Sequence, residues 1–152
     1  MKIVLGQEGA HRPQILLVGN TLPELKDFGI NLSPIDIEGK KILICFFDME
    51  QRPSRHYMIQ LTKKAEQLKI KDVSVIAVQA SKIDQEVLNQ WVKKYNIPFT
   101  VGMVQDDTEK ARSKWGVQSL PWLILTLTDS NHTVQAEGFG LTELDDKITA
   151  AK

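Results

Sequence analysis

Three short apolar runs limit the folds open to this chain: KILICFF (residues 41–47), VSVIAV (73–78) and WLILTL (122–127). They are nearly continuous in hydrophobic residues, and β-branched and aromatic side chains recur among them. Runs this short, without polar alternation, read as strands covered on both faces. PFTVGMV (98–104) is a weaker fourth strand. Helical periodicity fills the gaps. After Pro53, the residues Tyr57, Leu61, Ala65 and Leu68 share one helical face. Between Ile83 and Tyr95, a second face carries Val87, Leu88, Trp91, Val92 and Tyr95. SKID (81–84) has the form of a capping box for that helix. DDTE (106–109) opens a short helix reaching Trp115, and TELD (142–145) opens a last one with Leu144 and Ile148 inward. The DSN triplet (129–131) separates WLILTL from HTVQAEGF, which fits a hairpin. Strands alternating with helices require a parallel core, and the late hairpin adds an antiparallel edge. The fold class is therefore α/β, a mixed central sheet with helices on both faces.

The bulk numbers agree with one such domain and remove other classes. A length of 152 residues suits one core, and 42% hydrophobic with 25% charged residues is ordinary for a globular protein. Nineteen basic residues balance nineteen acidic ones, so nothing favours nucleic acid or an anionic membrane as partner. One cysteine, Cys45, rules out an internal disulfide and a multi-thiolate metal site. No apolar run reaches the length of a membrane span, and the first residues, MKIVLGQEGAHRPQILLVGN, lack the continuous apolar region of a signal peptide. The chain reads as soluble and untargeted; Met1 is equally the start of a domain cut from a longer protein.

Four local stretches, in order, carry a family resemblance. VGNTLPELKDFGINL is similar to an N-terminal entry segment, EGKKILICFFD to a strand leading into an active-site turn, KWGVQSLPWLIL to a segment bearing a cis-proline, and GFGLTELDDKI to a final glycine and closing helix. Together they resemble the thioredoxin fold, in particular its TlpA-like and AhpC/TSA-like redoxin domains, over residues 18–148. The resemblance implies an N-terminal extension at 1–17 and a thioredoxin-like domain at 18–152. It also implies a cell-envelope setting, and a thiol-disulfide oxidoreductase or peroxidase ancestry.

The stretch CFFDMEQRPSRH departs from that pattern. Thioredoxin-type members place Trp-Cys-X-X-Cys after the first strand. Here Gln51 stands for the attacking cysteine and Ser54 for the resolving one, with Arg52 and Pro53 between them. An amide cannot ionise or attack sulfur, and a hydroxyl cannot form a disulfide. Peroxiredoxin chemistry, which uses one cysteine at about the same turn, meets the same vacancy at Gln51. Cys45 lies six residues earlier, inside the strand, and reads as an inert buried thiol. Ser54 lacks a base: His56 is two residues away on a helix and points elsewhere, so a local hydrogen bond is the role expected of the hydroxyl.

Two binding readings remain open beside plain structural ones. Arg52, Arg55 and His56 gather at a helix N-terminus, where outward N–H groups also attract anions; a solvated charged face explains the same residues. By resemblance, Pro121 is the cis-proline, and Leu120 before it lies where relatives pair with an extended substrate, so an extended peptide or protein is the partner implied there. A purely structural cis-proline is the other reading. Trp115 and Trp122 either fill the vacated groove or pack in the core; Trp91 reads as core. His11, His56 and His132 have no ligand-like spacing, and Asp106 and Asp107 read as helix caps, so no metal and no cofactor is expected. The sequence favours a redox-inactive binding or structural module. An enzyme using Cys45, or a partner's thiol, is the alternative.

Overall fold

The structure is a computed structural model that describes residues 16–105 and 107–150. Nearly all of the segment 1–17, including His11, and Asp106 lie outside the described residues. In chain order the elements are α1 (Pro34–Ile37), β1 (Lys41–Phe47), α2 (Arg52–Lys63), α3 (Ala65–Ile70), β2 (Val73–Gln79), α4 (Gln85–Lys94), β3 (Thr100–Met103), α5 (Thr108–Trp115), β4 (Trp122–Thr126), β5 (Val134–Glu137) and α6 (Leu144–Ala150). One 3-10 turn at Leu25–Phe28 precedes them and another at Leu141–Glu143 leads into α6.

The sheet runs β3-β2-β1-β4-β5. β1 pairs in parallel with β2, and β2 with β3, whereas β4 and β5 are antiparallel additions. β1 is central, and all seven of its residues are buried, as its unbroken apolar run requires. Its alternate side chains separate two cores. Leu43, Cys45 and Phe47 face α2, α3, α4 and α6, meeting Met58, Leu61, Leu68, Leu88, Trp91, Leu144 and Ile148. Ile42, Ile44 and Phe46 face the other way, toward Phe28 and the α5 residue Trp115. Each fully buried side chain of this size contributes roughly 1.5–3 kcal/mol relative to exposure. The mixed α/β sheet with helices on both faces is thus the fold read from the sequence.

Several details differ. The helical pattern after Pro53 is two helices, broken at Lys64. The Thr62 hydroxyl donates to Met58 O at 2.9 Å, a back-bond of the kind that competes with the helical ladder, two residues before the break. Ser81 does not cap α4. That helix starts at Gln85, and Asp84 Oδ1 accepts from Glu86 N at 2.8 Å instead. On α4 only Leu88 and Trp91 are buried, while Val87 and Tyr95 are 45% and 42% exposed: the apolar stripe is wider than the strip that meets the sheet. β3 is shortened to four residues.

The two outer strands are treated differently. The outer side of β5 is occupied by the entry chain: Gly19 N donates to Val134 O, Val134 N to Asn20 O, and Leu17 N and Val18 N both donate to the Glu137 carboxylate. Among the described residues, β3 pairs only with β2.

Candidate functional site

Phe46 on β1 lies opposite Trp122 on β4. The chain leaving β1 after Phe47 and the chain entering β4 before Trp122 therefore emerge side by side at one end of the sheet. The first supplies the polar turn that starts α2. The second supplies the Leu120–Pro121 peptide, which is cis. The topology thus brings together Gln51, Arg52, Pro53, Ser54, Leu120 and Pro121.

Gln51 is the N-cap of α2, with extended backbone (φ −105°, ψ 127°) and no side-chain capping bond. Pro53 falls in the first turn, where its missing N–H is no loss. Gln51, Arg52, Pro53 and His56 are exposed. Ser54 is fully buried, and its Oγ has no hydrogen-bond partner. This corrects the expected local hydrogen bond. The third helical residue of α2 turns inward, and the hydroxyl sits where an apolar group would serve as well. It also separates Ser54 from the exposed His56, so the two form no nucleophile–base pair.

The basic cluster is gathered by the helix but is not wholly free. The half-buried Arg55 donates from Nη1 to Met49 O at 2.8 Å. Glu50 and Arg52 are both exposed. The first turn of α2 contains no acidic residue.

Cys45 is fully buried in the middle of β1. Desolvation pushes its thiol well above the ordinary range. Its Sγ donates a long, weak hydrogen bond to Phe46 O at 3.9 Å. The half-buried Tyr57 on α2 has its phenol pushed up too, mainly by burial and then by the charge a Cys45 thiolate would carry. A thiol in such surroundings is a poor nucleophile.

The indoles separate as well. Trp115 is fully buried, with ring centroids 5.1 Å from Phe28 and 5.6 Å from Phe46, so it belongs to the core. Trp91 stacks on Phe47 at 5.5 Å. Trp122 is half-buried next to the site, its ring laid against Gly138, where a Cβ would come within 2.6 Å of Cη2. Only a glycine leaves room for that ring. His132 stands in the β4–β5 connection with Nε2 3.1 Å from Ile37 O, far along the chain from His56. Among the described residues no three His, Cys, Asp or Glu side chains are grouped to hold a metal. No helix among them is long and apolar enough to cross a membrane.

One part of the site escaped the sequence reading. Asp48 and Gln79 close the ends of β1 and β2, where Phe47 and Gln79 are register partners. Gln79 is fully buried and Asp48 is 8% exposed. Gln79 Nε2 donates to Asp48 Oδ1 and to Ser81 Oγ, both at 3.0 Å, and its Oε1 accepts from Met49 N at 2.9 Å. Asp48 Oδ1 also accepts from Glu50 N at 3.0 Å. The available signal was a polar residue directly after each apolar run, in CFFD and in VSVIAVQ.

Comparison with known proteins agrees with this geometry. The AhpC/TSA family profile matches residues 19–137. No curated protein matches the chain. Among solved structures, a protein described as a thioredoxin from Neisseria meningitidis is 27% identical with a TM-score of 0.65, over 86% of this chain and 85% of that one. The thioredoxin domain of a thiol-disulfide oxidoreductase from Bacteroides vulgatus superposes with a TM-score of 0.69 at 20% identity, over 90% and 98% of the two chains. A thiol:disulfide interchange protein from a Bacteroides species gives 0.66 at 21% identity, over 89% and 90%. The profile spans the sheet from the entry chain to β5, and the solved structures share its fold. This chain belongs to the AhpC/TSA family, as a thioredoxin-like redoxin domain whose single cysteine lies outside the turn after β1.

Proposed function

We propose that this domain binds an extended polypeptide where the α2 turn meets the Leu120–Pro121 peptide, and that it does not itself exchange disulfides or reduce peroxide. The observation that carries the reading is the state of that edge. The N–H and C=O of Leu120 have no hydrogen-bond partner among the described residues, beside a turn that carries no cysteine. Open backbone groups at a sheet end favour an extended ligand, which satisfies them with its own peptide groups. Gln51 and Ser54 remove the thiolate chemistry, and the burial of Cys45 supports the same conclusion.

Two measurements test this. Insulin-disulfide reduction and hydroperoxide consumption by the purified chain should stay at the uncatalysed rate. Repeated turnover that disappears in Cys45→Ala would establish the thiol enzyme in its place. Carboxymethylated insulin B chain, an extended polypeptide without free thiols, should shift the amide resonances of residues 50–54 and 118–122. Resonances unmoved at millimolar peptide would dismiss the binding edge.

A further inference from the structure

We propose that Asp48 and Gln79, with Ser81, form a buried lock that sets the shape of the 49–51 backbone before any partner arrives. They are thus positioning residues of the docking surface, an inference that rests on the binding reading above.

Every hydrogen-bonding group of the Gln79 amide has a partner, and each partner belongs to the turn or holds it. Both N–H groups donate, to Asp48 Oδ1 and Ser81 Oγ, and the amide oxygen accepts from Met49 N. Asp48 then takes the next two amides of the turn. Glu50 N reaches Oδ1 at 3.0 Å, and Gln51 N reaches the backbone oxygen at 2.9 Å. The Ser81 hydroxyl accepts from Gln79 and donates to Asp48 Oδ2 at 3.4 Å. From the opposite side Arg55 fixes Met49 O. Three consecutive N–H groups and one carbonyl are held by side chains or backbone from the end of β1, the end of β2 and the first turn of α2.

A carboxylate and an amide this deeply buried are costly unless every group is matched. Once matched, they penalise any other arrangement, because movement of the turn strands a buried polar group. An apolar pair at the same strand ends would fill the space without dictating the path of the backbone above it. Gln51 and Ser54 cannot supply a covalent tie, so this polar network is what fixes the turn. Preorganisation of that kind lowers the ordering cost of binding.

The test uses amide hydrogen exchange and binding of the same carboxymethylated B chain, on the whole chain. In Asp48→Ala, exchange at Glu50 and Gln51 should accelerate at least tenfold more than at the β1 and β2 amides of Ile44 and Ile76. Affinity for the B chain should fall at least fivefold. Asp48→Asn, which keeps the Oδ1 acceptor, should restore both. Ile148→Val, a core change on α6, should lower the melting temperature and leave affinity unchanged. Uniform acceleration across the domain, or unaltered affinity in Asp48→Ala, would overturn the positioning role. If the unmodified chain ignores the B chain, the docking reading fails and takes the positioning role with it. The exchange pattern, which needs no partner, still shows separately whether the lock exists.

Discussion

The thiol at position 45 behaves as a small apolar group, and that has a measurable signature. Its folded-state pKa is raised by burial, so between the unfolded value near 8.5 and the folded one the native state holds a proton that the unfolded chain has lost. Stability is intact below about pH 8.5 and declines as pH rises, with a limiting slope of about 1.4 kcal/mol per pH unit for one such group. Tyr57, raised in the same direction but only partly buried, adds a weaker loss that begins near pH 10. Urea unfolding from pH 7.5 to 9.5 should show the decline, and Cys45→Ala should flatten it. A slope unchanged by that substitution would contradict the buried-thiol assignment. At this scale the burial of Cys45 was legible, because its place inside an apolar run is written in the sequence. The idle hydroxyl of Ser54 was not. Whether a helix-start serine turns outward or inward depends on how the whole helix is laid on the sheet.

The elements were legible where hydrophobic pattern alone decides them. β1 has the bounds of its apolar run, and α5 starts after Asp107, whose Oδ1 accepts from Glu109 N at 2.9 Å. Pattern failed at the break between α2 and α3, and at Ser81, recruited by Gln79 rather than by α4. β3 shows a third kind of limit. Gly102 lies so close to the 28–30 segment that an added Cβ would stand 2.5 Å from Ile30 Cδ1 and 2.7 Å from Phe28 O. The isoleucine can shift, but the carbonyl belongs to the backbone. Gly102→Ala should therefore destabilise the domain by about 1–3 kcal/mol, the usual cost of overpacking, measured by chemical denaturation. A neutral result would mean that the 28–30 segment does not lie against Gly102 as described.

For the whole molecule, fold and family followed from the order of patterns. The network beneath the turn did not, because it joins residues 48, 79 and 81, whose proximity exists only once β1 and β2 pair. The placement of the turn has a constructive test. Residues 51 and 54 are the N-cap and third residue of one helix, three apart and so neighbours on one side of its first turn. Gln51→Cys with Ser54→Cys should close under oxidised glutathione, read as protection of both thiols from alkylation; two free thiols after oxidation would mean that the turn is misplaced. The flanks of the sheet carry a consequence of their own. With β5 sheathed by residues 17–21 and β3 short and without a second strand partner among the described residues, strand addition has one flank on which to act. Two copies joined there would exhaust each other's open side, so self-association by this route stops at a pair and does not grow into a fibre.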